Sequence, residues 1–449
     1  MRAPWFGSRR VPAVTAVAGP SGRRAVLTLM DQGFSSVSNF AVVVIVARIA
    51  GASGLGGFSF AYAGWLILAA LHRSLITDPM MIEGDHHTDV SGAMARGLAA
   101  EIVLGVAGAA FVVATGVVLL LAGQHTFGIA MVALAPWLPL LVVQDYWRWA
   151  GFMQARPGSA LANDTVFNCV QGALFGFLIV THAHSVVIVI ASWGLGGTAG
   201  AVFGLRQFRV APSLSGGVAL LRSRWSLSKW LAGTSVANWG STQAYMLVAG
   251  AILDPAGLGG LKAAQTLVTG PALVLLMAGG SIGTPEATRA YAERGWPGLT
   301  RVARIVGVLS VASLGLGTVV MAVWGRSLLS LIYGPGFAHL QLAAVLIGLS
   351  NVVRGLSVGP ILVLKSTRNT RYVFHAVVIT LVISLASVAV LAPLYKVNGA
   401  AASTIVTSPF MAAAYLWFQS KARRAGTDPF RHADTPSGER TIPATLPSG

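Results

Sequence analysis

The chain has 449 residues, of which 55% are hydrophobic and only 10% charged, with a mean hydropathy of +0.71. Soluble domains carry about 25% charged residues, so this chain has too little polar surface to wet a globule of its size. Its single cysteine, Cys169, excludes a disulfide framework, and the formal net charge of +17 points to nucleic acid only until the placement of the charges is considered.

A helix needs about 20 mainly apolar residues to cross a bilayer. Residues 1–24 carry five arginines, and the apolar stretch behind Ser8-Arg9-Arg10 is too short for a signal peptide, so they read as a cytoplasmic N-terminal tail. Residues 25–205 then hold six candidate spans, at 26–49, 58–76, 98–122, 127–144, 165–182 and 185–205. A basic linker follows at 206–230. Residues 231–419 hold six more spans, at 231–252, 261–283, 302–323, 339–364, 372–392 and 397–419, and the tail 420–449, rich in Pro, Thr, Ser and Gly, reads as disordered and cytoplasmic. Pro136 and Pro139 break the fourth span, while Asn351 and Arg354 interrupt the tenth. Apolar runs such as Val42–Val46 suit bundled or lipid-facing helices, and the alternation of a β-barrel strand is absent.

Lys and Arg collect in cytoplasmic loops. With the N-terminus inside, twelve spans put 26 of the 31 basic residues on the cytoplasmic side and four outside, with Arg354 inside a span. That asymmetry accounts for the basic balance without nucleic acid, and predicts a multi-pass plasma-membrane protein with both termini in the cytoplasm.

The sequence also repeats itself. Ser36-Val37-Ser38-Asn39-Phe40 is echoed by Ser235-Val236-Ala237-Asn238-Trp239, Gly54-Leu55-Gly56-Gly57 by Gly257-Leu258-Gly259-Gly260, and Ser74-Leu75-Ile76-Thr77 by Ser281-Ile282-Gly283-Thr284. Copies six spans apart start on the same side of the membrane. They predict an all-α membrane protein of about twelve helices in two six-helix lobes, related by a pseudo-two-fold axis along the membrane normal, with a path between them.

Within residues 26–80, Asp31-Gln32-Gly33 through Ser38-Asn39-Phe40, Ala47-Arg48, Gly54-Leu55-Gly56-Gly57-Phe58 and His72-Arg73-Ser74-Leu75-Ile76-Thr77-Asp78-Pro79 resemble the polysaccharide-flippase branch of the multidrug/oligosaccharidyl-lipid/polysaccharide exporter superfamily. The resemblance implies flipping of a lipid-linked oligosaccharide, or export of a polysaccharide precursor, by alternating access coupled to an ion gradient. The partners it implies are the lipid-linked saccharide, membrane lipids, and glycosyltransferases or a polymerase of the same pathway.

Ionisable residues inside spans are functional candidates. Asp31 is the candidate for coupling to protons or sodium. Asp31, Ser35, Ser38 and Asn39 form one polar stripe on the first helix, and Ser235, Asn238 and Thr242 repeat it on the seventh, so that facing stripes would line a hydrated cleft. Arg354, Arg73, Arg48 and Lys262 are candidates for an anionic head group, with Arg48 and Lys262 placed near the outer surface. Glu101, Asp145 and His375 read as interfacial, as do Trp147 and Trp149. Gly196, Gly200 and Gly204 give the sixth helix a small-residue seam for close packing.

No HExxH, GxSxG or Walker A pattern occurs, and no metal or cofactor is called for, so the chain reads as a transporter and not an enzyme. A drug/cation antiporter of the same superfamily, or a non-transporting scaffold for polysaccharide synthesis, are the alternatives. The antiporter would need an acidic cleft.

Overall fold

A computed structural model of the chain describes residues 20–83, 89–154, 156–367 and 369–424, with side chains described except at 20–35, 82–83, 157, 237–238, 241–244, 271–285 and 370. The two tails expected at 1–24 and 420–449 therefore lie outside the described residues, save for 20–24 and 420–424, which are helical. Every regular element among the described residues is a helix.

Eight helical runs are long and apolar enough to cross a membrane, and some of them cross twice. The run Pro20–His72 reverses at Gly51, whose φ of 65° suits a residue without Cβ, giving α1 (20–50) and α2 (52–72, continued to 83). Then come α3 (Val90–Leu121), α4 (125–153), α5 (Pro157–Val180) and α6 (Val186–Phe208). In the linker lies a short helix, α7 (Leu214–Ser223), and α8 begins directly after it (Trp225–Ile252). The run Pro255–Tyr333 turns at Gly295, φ 61°, into α9 (255–294) and α10 (296–333). After α11 (341–366), the run Thr370–Arg424 turns at Lys396 into α12 (370–395) and α13 (397–424). The twelve expected crossings are thus α1–α6 and α8–α13.

The prolines act where expected. Pro136 and Pro139 convert residues Ala135–Trp137 of α4 into a 3₁₀ turn. The ladder of α11 breaks after Gly355, just past Arg354 and ahead of Pro360. On the glycine seam of α6, an added Cβ at Gly204 would lie 2.0 Å from the Trp147 ring and one at Gly200 2.7 Å from Gln144. Trp147 is a correction: it is fully buried, with its indole N–H donated to the Ala201 carbonyl (3.1 Å), and belongs to no interfacial belt.

We call the membrane face that receives the helix ends near 84–89, 209–224, 295 and 367–369 the basic face, and the opposite one the far face. One continuous apolar core fills the far half and joins both lobes, from Val46 and Leu55 to Leu258, Leu261 and Ala400. In the basic half the core is divided, with one cluster in the first lobe and two in the second. The lobes are therefore locked together at the far face. The lock is symmetric: a Cβ on Gly56 would sit 1.8 Å from the Pro255 carbonyl oxygen, and one on Gly259 1.9 Å from that of Ala52.

Candidate functional site

The first lobe encloses a polar cavity of about 230 Å³ between α1, α2, α4, α5 and α6. Helical spacing builds its walls: Gln144, Asp145 and Arg148 share a face of α4, while Asp164, Phe167 and Asn168 share a face of α5. Two ion pairs cross it. Arg148 Nε lies 3.2 Å from Asp164 Oδ2, and Arg73 Nε lies 3.5 Å from Asp145 Oδ2. The Asp164 side chain is 6% exposed and that of Arg73 33%, so the cavity is wet at the Arg73 end and dry at Asp164.

Buried polar groups need partners, and Asp164 has several. Gln144 Nε2 donates to Asp164 Oδ1 (3.0 Å) and to Asn163 Oδ1 (3.1 Å), and Asn163 Nδ2 donates to the Gly200 carbonyl (2.9 Å). Asn168 Nδ2 donates to the Asp164 carbonyl (2.7 Å) and its own carbonyl oxygen accepts from Ser38 Oγ. Of the first polar stripe, then, Ser38 and Asn39 line this cavity. Asp31 and Ser35 lie outside the described side chains, as do Asn238 and Thr242 of the second stripe.

Arg73 opens a π-helical turn, Arg73–Thr77, and stacks at 5.6 Å over Trp149. Such turns widen a helix locally and recur at functional sites. Pro79 cannot donate to the Leu75 carbonyl four residues back, and Ser228 Oγ of α8 does so instead (3.2 Å). Ser74 Oγ donates to Ser235 Oγ (2.6 Å). Ser235 thus joins the lobes near the basic face, and does not look across a cleft at Ser38.

The second lobe contributes two cations. Lys262 Nζ lies 5.9 Å over the Tyr62 ring of α2, in the second turn of α9, so it sits at the lobe interface within the membrane and not at the outer surface. Arg354, at the break in α11, is exposed and lies within electrostatic reach of Tyr245 on α8 and Tyr415 on α13. Neighbouring Asn351 Nδ2 donates to Thr269 Oγ1 on α9 (3.0 Å). Neither Lys262 nor Arg354 has a carboxylate within ion-pair distance among the described residues. Arg48 stands apart from all of these: its guanidinium donates to the Leu331 and Ile332 carbonyls at the end of α10 (2.8 Å to Ile332), clasping the lobes at the far face.

No protein-family model and no curated protein matches the sequence. Solved structures do match. The lipid II flippase MurJ in its inward closed conformation aligns with a TM-score of 0.67 at 11% identity, covering 93% of this chain and 94% of that one. An inward-facing multidrug resistance MATE family transporter of the MOP superfamily aligns at 0.65 and 14% identity, over 87% of this chain and 95% of that one. A MOP superfamily transporter from Pyrococcus furiosus, for which reverse polarity of the binding pocket suggests a different function, aligns at 0.59 and 13% identity, over 93% and 100%. The chain has the fold of these transporters.

Sequence reading missed Asp164, Gln144 and Asn163, and took Asp145 for an interfacial residue. The expected fourth and fifth spans left 145–164 as a loop, whereas α4 runs to 153 and α5 starts at 157. The polar residues of the cavity lower the local hydropathy and so trimmed the very spans that carry them. Arg148, left in that expected loop, sits in the cavity wall for the same reason, beside Arg73 of the second span. Glu101 is likewise no interfacial acid: it is buried and paired with His72 Nδ1 at 2.7 Å.

Proposed function

We propose that this chain is a membrane transporter that flips a lipid-linked oligosaccharide, or exports a polysaccharide precursor, by alternating access between its two lobes. The observation that carries this reading is the contrast between the lobes. In the first lobe's cavity each arginine is matched by an aspartate, whereas Arg354, at the helix break in α11, and Lys262, at the lobe interface, have no carboxylate partner among the described residues. Cations held inside a membrane protein are costly, and a diphosphate head group supplies the charge they lack. The shared fold of a lipid II flippase supports the same class of cargo.

In this reading Arg73, Asn39 and Ser38 form the first-lobe wall of the site and Asn238 and Thr242 the corresponding part of the second, with Ser235 holding the lobes together beside it. Asp31 couples an ion, with Asp145 and Asp164 as further carboxylates on the same route. The basic face is cytoplasmic and the protein sits in the plasma membrane. The two aspartates also favour a second reading, exchange of an organic cation for protons, in which they would exchange arginine for cargo.

The test is translocation of a fluorescent lipid-diphosphate saccharide in proteoliposomes, read by a membrane-impermeant quencher. Arg354→Gln with Lys262→Gln should reduce the rate at least about tenfold, since each lost charge-assisted contact removes on the order of 1.5–3 kcal/mol, while Arg354→Lys retains part of it. Undiminished flux in the double variant, or uptake of an organic cation in place of the lipid, would overturn the proposal.

A further inference from the structure

A second cavity, of about 740 Å³, lies wholly within the second lobe, between α10, α11 and α13. None of its walls comes from α8 or α9, which carry the lobe contacts of Ser235, Gly259 and Lys262. It opens sideways to the membrane: Val308, Leu356 and Leu416, which line it, are 60%, 51% and 50% exposed. Its end at the basic face carries Arg304, near the start of α10, and Arg423, in the last turn of α13. Both are exposed and neither has an ion-pair partner among the described residues.

Three residues explain why the space exists. Gly307 has no side chain to fill it, and the nearest atom to a Cβ there would be the Gly359 nitrogen, 3.8 Å away. Gly359 lets α11 approach the Ala303 carbonyl of α10, which a Cβ would meet at 2.8 Å. Pro360 cannot donate to the Leu356 carbonyl, so α11 is broken beside the slot. From Arg304 to Ala312 the slot follows about 12 Å of helix, most of the roughly 15 Å depth of one leaflet's hydrocarbon.

We propose that this slot is a binding site for an anionic glycerophospholipid of the leaflet at the basic face, with its phosphate between Arg304 and Arg423 and one acyl chain along Val308, Leu356 and Leu416. An apolar trough headed by two free arginines matches that amphiphile in charge and depth, and matches no soluble anion. Because the slot faces the membrane and not the lobe interface, the lipid is a resident ligand and not cargo. It bridges α10 to α13 and braces the second lobe as a unit.

Native mass spectrometry of the full chain, equilibrated in mixed micelles with phosphatidylglycerol or phosphatidylcholine, tests this. Wild-type protein should retain one phosphatidylglycerol in preference to phosphatidylcholine. Arg304→Gln with Arg423→Gln should weaken that retention about 30-fold, at about fivefold per charge near the surface. Gly307→Leu, which fills the trough and leaves both charges, should abolish it while keeping the cooperative melt. Equal retention of the two lipids, or unchanged retention in either variant, overturns the site. Displacement of phosphatidylglycerol by lower concentrations of a polyprenyl phosphate would instead assign the slot to the cargo lipid.

Discussion

Gly56 and Gly259 occupy equivalent places in the two lobes, and each lays its bare Cα against the backbone of the other lobe. Gly56 meets Pro255 and Gly259 meets Ala52, and both pairs share one offset of 203 residues (56 to 259, 52 to 255). Reciprocal contact of this kind defines an isologous interface, here within one chain. The pseudo-two-fold axis runs between these two turns, at the far face.

A side chain at either glycine has no room. Gly259→Leu should force the far-face seal apart, at about 1–3 kcal/mol of overpacking, which is roughly a five- to 150-fold shift toward far-face-open protein. With exposed Cys169 replaced by serine and a cysteine introduced at Asn39 in the cavity wall, labelling by an impermeant maleimide from the far side should rise accordingly. A labelling rate equal to that of the parent, in protein that still melts cooperatively, would mean that this contact does not set the conformation.

Arg48 was expected to be a substrate contact, and its geometry assigns it to the seal. Cations capping a helix C-terminus contribute about 0.3–1 kcal/mol, and the fork of arginine suits two adjacent carbonyls better than an ammonium. Arg48→Gln should therefore loosen the far face about fivefold, with Arg48→Lys between the two. Spin labels at Ser185 and Gly336 would report this as a new, longer distance population. Superimposable distance distributions for all three proteins would sink the assignment.

Asp164 and Arg148 should be energetically coupled. Removing one member of a buried pair leaves an uncompensated charge, at about 3 kcal/mol. Asp164→Asn also keeps the amide contacts with Gln144 that a smaller residue would lose. Thermal unfolding of Asp164→Asn, Arg148→Gln and the double variant in detergent should give a coupling of about 1–2 kcal/mol, the double variant being more stable than the sum of the singles implies. Strict additivity would show that the cavity's water screens the pair completely.

Much of the architecture was legible because it rests on patterns that water and lipid impose. Span number followed from apolar length, and the paired Gly54–Gly57 and Gly257–Gly260 stretches announced the two-fold arrangement. Broken helices at Pro136 and after Arg354 were readable from prolines and buried polar residues. The site was less legible. Arg73, Ser38 and Asn39 do line a common cavity, but their partners Asp145 and Asp164 were hidden in an expected loop, since a hydropathy window averages a charge away from its pairing partner. Ser235 and Arg48 turned out to hold lobe to lobe.

By itself, then, the order of residues determined an all-helical membrane chain of two related halves, because the bilayer leaves an apolar polypeptide no other way to satisfy its backbone. Tertiary structure alone decided which polar side chains meet. Asp164 finds Arg148 across two helices, Lys262 reaches Tyr62 across two lobes, and Arg48 grips a carbonyl nearly three hundred residues away. Such pairings depend on how helices rotate and cross, which small residues and close backbone contacts govern, and no local spacing encodes them.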